Sequence, residues 1–135
     1  MKVLLDTNIM LDLILEREPF VDDAILLFEK IEQGHIIGYV AATTITNIFY
    51  IIRKAEGRDT AIGAIKRILI GLQFCDVDRA VVSTALELGL KDFEDGIQLA
   101  CAQLNHLDAI ITRDLKDYAA TNFPIWSVKD MMRHL

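Results

Sequence analysis

Lys91–Asp114, KDFEDGIQLACAQLNHLDAIITRD, is the stretch from which the fold can be read. It opens on the carboxylates Asp92, Glu94 and Asp95, runs on as an apolar-rich helix, and ends in a buried-looking strand, Ala109–Thr112, just ahead of Asp114. A helix that starts acidic and a strand that ends acidic place carboxylates at one rim of an α/β sheet. Working outward, Asp6 closes the first strand in the same manner, so the two ends of the chain can meet at one site. Metal-dependent chemistry on phosphates needs such an arrangement.

The rest of the chain repeats the alternation. Strand Lys2–Leu5 leads to a short helix from about Ile9 to Leu15, and Glu16–Pro19 breaks it. Helix Phe20–Gln33, with Ile25, Leu26, Phe28 and Ile31 on a broad apolar face, stops at Gly34. Strand Ile36–Ala41, helix Thr43–Lys54, Gly57, helix Arg58–Leu72 and strand Phe74–Val77 follow. Next come helix Arg79–Leu88, Gly89, helix Asp92–Asn105, strand Ala109–Thr112 and a turn at Asp114–Ala119. An edge strand, Pro124–Ser127, and a last helical turn, Val128–Leu135, finish the pattern. Short β-rich runs between helices imply βαβ units, hence an α/β fold of three layers. The central sheet is expected to be mainly parallel, with four to five strands, and residues 1–135 to form a single domain. Asp6 and Asp114 share a crevice if the first and fourth strands are neighbours, which spacing alone leaves open.

Composition narrows the class. Hydrophobic residues make up 53% of 135, and the mean hydropathy of +0.32 is high for a water-exposed domain. Charged residues interrupt every apolar run before the roughly 18 residues of a membrane span, and the start, MKVLLDTNIM, does not read as a signal peptide. Buried parallel strands and a partner surface better explain the apolar surplus. Cys75 and Cys101 sit in apolar segments without ligand spacing and read as small buried thiols of a reducing cytoplasm. The net charge of −6 argues against bulk electrostatic capture of nucleic acid. Locally the balance reverses. Arg53, Lys54, Arg58, Lys66 and Arg67 face only Glu56 and Asp59, giving +3 for the segment and −9 for the remainder. That segment could track an RNA backbone, although the solvent face of two helices explains it slightly better.

Each acid has a bland explanation. Asp6-Thr7-Asn8 could cap the helix after it, Asp92-Phe-Glu-Asp95 has capping-box spacing, and Asp114-Leu-Lys-Asp117 repeats it. Taken together they are harder to dismiss, because like charges gathered in one crevice repel unless a cation compensates. Oxygen donors without His or Cys suit Mg²⁺ or Mn²⁺. Asp92 and Asp95, about 60° apart on a helix, can both face the site, whereas Glu94 is expected to point elsewhere as a solvated charge. Asp12 reads as an exposed or supporting acid. His35, His106 and His134 fall outside every candidate motif and are expected to be solvated, and Trp126 to be packing.

The start LLDTNIMLDLI, the segment DFEDGIQLACA and the close ITRDLKDY, in this order and spacing, resemble a PIN domain of the kind found in VapC-like toxins of bacterial toxin–antitoxin pairs. The resemblance runs nearly the whole length of the chain. It implies a metal-dependent ribonuclease with a parallel sheet of order 3-2-1-4-5, which makes strands one and four neighbours. Residue by residue, it makes Asp6, Asp95 and Asp114 the catalytic and metal-holding carboxylates. Asp117 is a weaker fourth, and Asp92 an additional acid beside the site. Thr7, Asn8 and Thr112 match polar positions that orient ligands or a water. Arg113, beside Asp114, is the basic residue most readily placed near a phosphate.

One departure stands out. Many such domains carry a glutamate early in the helix after the second strand. Here the helix offers Thr43, Thr44, Thr46 and Asn47, and no acid lies between Gln33 and Lys54. Asn47 keeps an oxygen where the glutamate is expected but removes a charge. The resemblance further implies Mg²⁺ or Mn²⁺ as cofactor, RNA as substrate, a cognate antitoxin, a homodimer and a cytoplasmic location. The apolar helix TITNIFYII, Thr44–Ile52, suits either burial or such an interface. A second reading is a PIN-fold RNA- or protein-binding module with a weakened metal site. A hydrolase on an unrelated α/β fold would need a nucleophile elbow or a phosphate-binding glycine loop, and the sequence has neither.

Overall fold

The computed structural model describes all 135 residues. Five strands, β1 (Lys2–Leu5), β2 (Ile37–Ala41), β3 (Gln73–Cys75), β4 (Ala109–Ile111) and β5 (Ile125–Trp126), form one sheet. Its order is β3-β2-β1-β4-β5, and every pairing is parallel. The order reverses at β1, which lies between β2 and β4, and that reversal opens a crevice at the carboxyl ends of the strands. Strands one and four are therefore neighbours, with Leu5 opposite Ile111.

Strand alternation sorts the core into two layers. Val3 and Leu5 of β1, with Ala109 and Ile111 of β4, face helices α1 (Thr7–Ile14), α2 (Val21–Glu32), α3 (Ala42–Glu56) and α4 (Arg58–Gly71). The last helix, α7 (Val128–Arg133), packs there too through Val128 and Met131. Leu4 and Ile110 point the opposite way, onto α5 (Arg79–Leu88) and α6 (Phe93–Leu104). Tyr118, on the short 3-10 helix Leu115–Tyr118, joins that second layer. A single-residue alternation thus builds the α/β/α sandwich.

Element ends follow local chemistry. Asp6 caps α1, accepting from the Thr7 N–H at 2.7 Å, so the helix begins two residues earlier than the apolar pattern predicts. Asp92 caps α6 and accepts from the Asp95 N–H at 3.1 Å, as the capping reading has it. Gly57 ends α3 and starts α4 at φ 90°, a conformation that side chains with a Cβ rarely adopt. β3 runs Gln73–Cys75, earlier than the Phe74–Val77 read from the sequence, because pairing with β2 and not apolar content sets its limits. On α3, burial takes Thr44, Ile48 and Ile52, while Tyr50 is 60% exposed, so the helix is less uniformly buried than its composition implies. No helix is long and apolar enough to cross a membrane.

Candidate active site

Asp6 follows the last residue of β1, and its N–H donates to Ile111 O at 3.0 Å, so the sheet ladder itself places it beside β4. The carboxylate is 6% exposed. Oδ1 accepts from the Thr7 N–H at 2.7 Å and from Gln98 Nε2 at 3.0 Å, and Oδ2 accepts from Thr112 Oγ1 at 2.7 Å. Burial raises the carboxyl pKa above the ordinary range; these donors oppose it, and the charge of Asp114 adds to the rise. Thr112 also accepts from the Asp114 N–H at 3.0 Å, so one hydroxyl ties the first and third acids together.

Asp95 lies in the first turn of α6. Burial pushes its carboxyl up to about 7, helped by the charges of Asp6, Asp92 and Asp117 and opposed by a hydrogen bond from Tyr118. The Tyr118 hydroxyl donates to Asp95 Oδ1 at 3.2 Å and accepts from Gln98 Nε2 at 3.1 Å. Gln98, 1% exposed, thus links Asp6 to Asp95 through the Tyr118 hydroxyl. Neither Gln98 nor Tyr118 is singled out by the sequence. The signal was faint: Gln98 lies three residues after Asp95, on the same helix face.

Asp6, Asp95 and Asp114 line one cleft of about 210 Å³, together with Asp92, Asp117, Thr7, Asn8 and Asn47. Asn8 Nδ2 donates to Asp114 Oδ2 at 3.2 Å, and Asn8 Oδ1 accepts from Arg17 Nη1 at 3.2 Å. The three candidate carboxylates, distant in sequence, are therefore brought together. As the side chains stand, no three His, Cys, Asp or Glu converge on a common point; hydrogen-bond donors hold the acids instead. In donor chemistry and charge the set fits a hard divalent cation. Its candidate donors are oxygens, no Lys, Arg or His lines the cleft, and the Asp6 and Asp95 carboxyls are raised first by burial and then by neighbouring acids.

Two expectations need correction, and a third, Arg113, is sharpened. Glu94 does not point elsewhere: it lines the cleft, Oε1 accepting from Thr7 Oγ1 at 2.8 Å. Asn47 turns its nitrogen and not its oxygen to the site, Nδ2 donating to Glu94 Oε2 at 3.0 Å and Oε1 at 3.3 Å. Arg113 is not part of the cleft lining but borders it, its Nη1 3.9 Å from Asp114 Oδ1. Its Nε and Nη2 donate to Asp12 at 2.9 and 3.3 Å, and its guanidinium stacks 4.0 Å over the Phe20 ring. Asp12 is accordingly buried, 1% exposed, beneath Arg113 and Arg17. The remaining candidates act elsewhere or not at all. His134 lies outside the cleft, stacked on Trp126 at 4.0 Å. Burial pushes the Cys75 and Cys101 thiols up to about 11 and about 12, which removes them as nucleophiles.

Solved structures share this architecture. VapC20 of Mycobacterium tuberculosis, described as a sarcin–ricin loop cleaving toxin, superposes with a TM-score of 0.74 at 14% identity, over 90% of this chain and 95% of its own. A toxin–antitoxin complex from Klebsiella pneumoniae contains a chain with a TM-score of 0.71 at 22% identity, covering 93% and 97%. VapBC2 of Rickettsia felis, solved on a DNA fragment from its promoter, gives 0.71 at 15% identity over 94% and 98%. At such identities the likeness is one of fold. No curated protein matches the sequence. A sequence model of the PIN domain, however, matches residues 2–116. Those residues run from β1 into the 3-10 helix and hold the three carboxylates, and on that match the chain belongs to the PIN domain family.

Proposed function

We propose that the chain is a divalent-metal-dependent ribonuclease of the VapC-like toxin class, with Mg²⁺ or Mn²⁺ as its ion. The observation that carries this reading is the meeting of Asp6, Asp95 and Asp114 in one cleft that has no basic residue. PIN-domain nucleases in general use divalent metals, which agrees with it. Asp6, Asp95 and Asp114 would hold the ion, with Asp92 and Asp117 at the rim. When bound, it supplies the positive charge that activates water and offsets the charge of a scissile phosphate.

The chain's own residues do the positioning. The Thr7 N–H, Gln98 and Thr112 fix Asp6 by three hydrogen bonds, so its carboxylate needs little reorganisation. Asn8 holds Asp114 from the side. Asp95 accepts from Tyr118 through Oδ1; its carboxyl, raised to about 7 without an ion, is one that a divalent cation would hold ionised. No covalent protein nucleophile is required.

RNA as substrate, a cognate antitoxin, a homodimer and a cytoplasmic setting are part of the same proposal. It draws support from solved relatives that are themselves toxin–antitoxin complexes. The second reading, a binding module with a weakened site, draws on Asn47 in place of an acid on α3. Cleavage of single-stranded RNA during a Mn²⁺ titration distinguishes them. The wild type is expected to cleave and an Asp6→Asn/Asp95→Asn variant to be silent; a wild type with no metal-dependent cleavage would hand the case to the binding module.

A further inference from the structure

Glu94 stands at the second position of α6, where an acid usually rests in solvent against the helix dipole. Here two other elements draw it inward. Thr7 at the start of α1 donates to Oε1, and Asn47 on α3 donates to both carboxylate oxygens. Asn47, itself in the cleft lining, spends its amide nitrogen on the glutamate. The charge-neutral pair Thr7 and Asn47 can orient Glu94 without neutralising it. The carboxylate therefore adds a sixth acid to a cleft lined by Asp6, Asp92, Asp95, Asp114 and Asp117 and by no Lys, Arg or His. Fixing a sixth like charge there is unfavourable for a chain that never binds a cation.

From this geometry we infer that Glu94 is a further metal-directed carboxylate of the site, and that Asn47 is its positioning residue. The negative charge missing from α3 is delivered across the cleft from α6. The inference deepens the proposed function and rests on it, because it concerns the same divalent ion.

Mn²⁺ binding, followed by loss of the free-ion signal in electron paramagnetic resonance, tests it on the whole chain without reference to turnover. Asp6→Asn is expected to abolish binding. Glu94→Gln should weaken it about tenfold or more, the scale on which metal-supporting residues act. An Asn47→Asp/Glu94→Gln variant exchanges donor and acceptor across the same gap and should recover most of that loss. In chelator Glu94→Gln is expected to melt at or above the wild-type temperature, since it relieves repulsion in the cleft, and this separates a metal role from a structural one. Wild-type affinity in Glu94→Gln would overturn the role of Glu94 while leaving the nuclease reading intact. A double variant no better than Glu94→Gln would overturn the positioning role of Asn47. A wild type that binds no Mn²⁺ at all would remove the proposed function, and this inference with it.

Discussion

Asp95 carries the most direct consequence of crowding at the level of single side chains. Its carboxyl is pushed from the ordinary range to about 7, first by burial and then by neighbouring acids. Because the folded-state value lies above the unfolded one, folding favours the protonated form. That contribution is complete below the ordinary carboxylate range and is lost as pH rises through about 7. The metal-free protein should therefore lose thermal stability over this window, and Asp95→Asn should flatten the profile in chelator. Tyr118→Phe removes the hydrogen bond that restrains Asp95, so the carboxyl should titrate higher still; carboxyl-selective NMR titration reads the change. Asp12→Asn leaves the Arg113 fork without its buried charge partner. With Arg113 itself 28% exposed, the expected loss sits at the low end of about 3–5 kcal/mol, measured by urea unfolding. The acids that end strands were legible, since Asp6 and Asp114 follow apolar β-runs and Asp95 opens an apolar helix. Glu94 was not. Helical-wheel geometry turns it away from Asp92 and Asp95, and only Thr7 and Asn47, on distant segments, bring its long side chain back. Arg113 stands beside Asp114 as its position suggests, but its main partner, Asp12, lies 101 residues away and was not legible.

At the level of helices and strands, periodicity and caps found every element, and errors were confined to ends. The starts of α1 and α6 are decided by aspartate side chains that bond to helix N–H groups, so one residue both caps and lines the cleft. Capping and site-building are compatible in this molecule, because Asp6 and Asp92 each cap a helix and line the cleft. Gly57 gives an element-scale test. Its backbone lies at φ 90° and ψ 168°, with open space where a Cβ would stand, so substitution perturbs backbone energy alone. Gly57→Ala is expected to cost about 1–3 kcal/mol, seen as a lower urea midpoint at unchanged slope. An unchanged midpoint would mean that the α3–α4 junction adopts another conformation.

Over the whole molecule, the parallel order β3-β2-β1-β4-β5 is the device that unites the site. It sets β1 against β4, so acids more than a hundred residues apart end side by side, and α6 lays Asp95 and Glu94 over the same crevice. Sequence alternation gave the layers but left strand adjacency open; the family resemblance supplied it, and the backbone pairing bears it out. With six acids and no Lys, Arg or His in its lining, and only Arg113 at its edge, the cleft favours a phosphate that arrives with a divalent ion. The most direct test is anomalous X-ray scattering from a crystal of the protein soaked in Mn²⁺. A peak between Asp6, Asp95 and Asp114 is expected. Fully ordered carboxylates with no peak in the cleft, under conditions where Mn²⁺ binds the protein elsewhere, would contradict it.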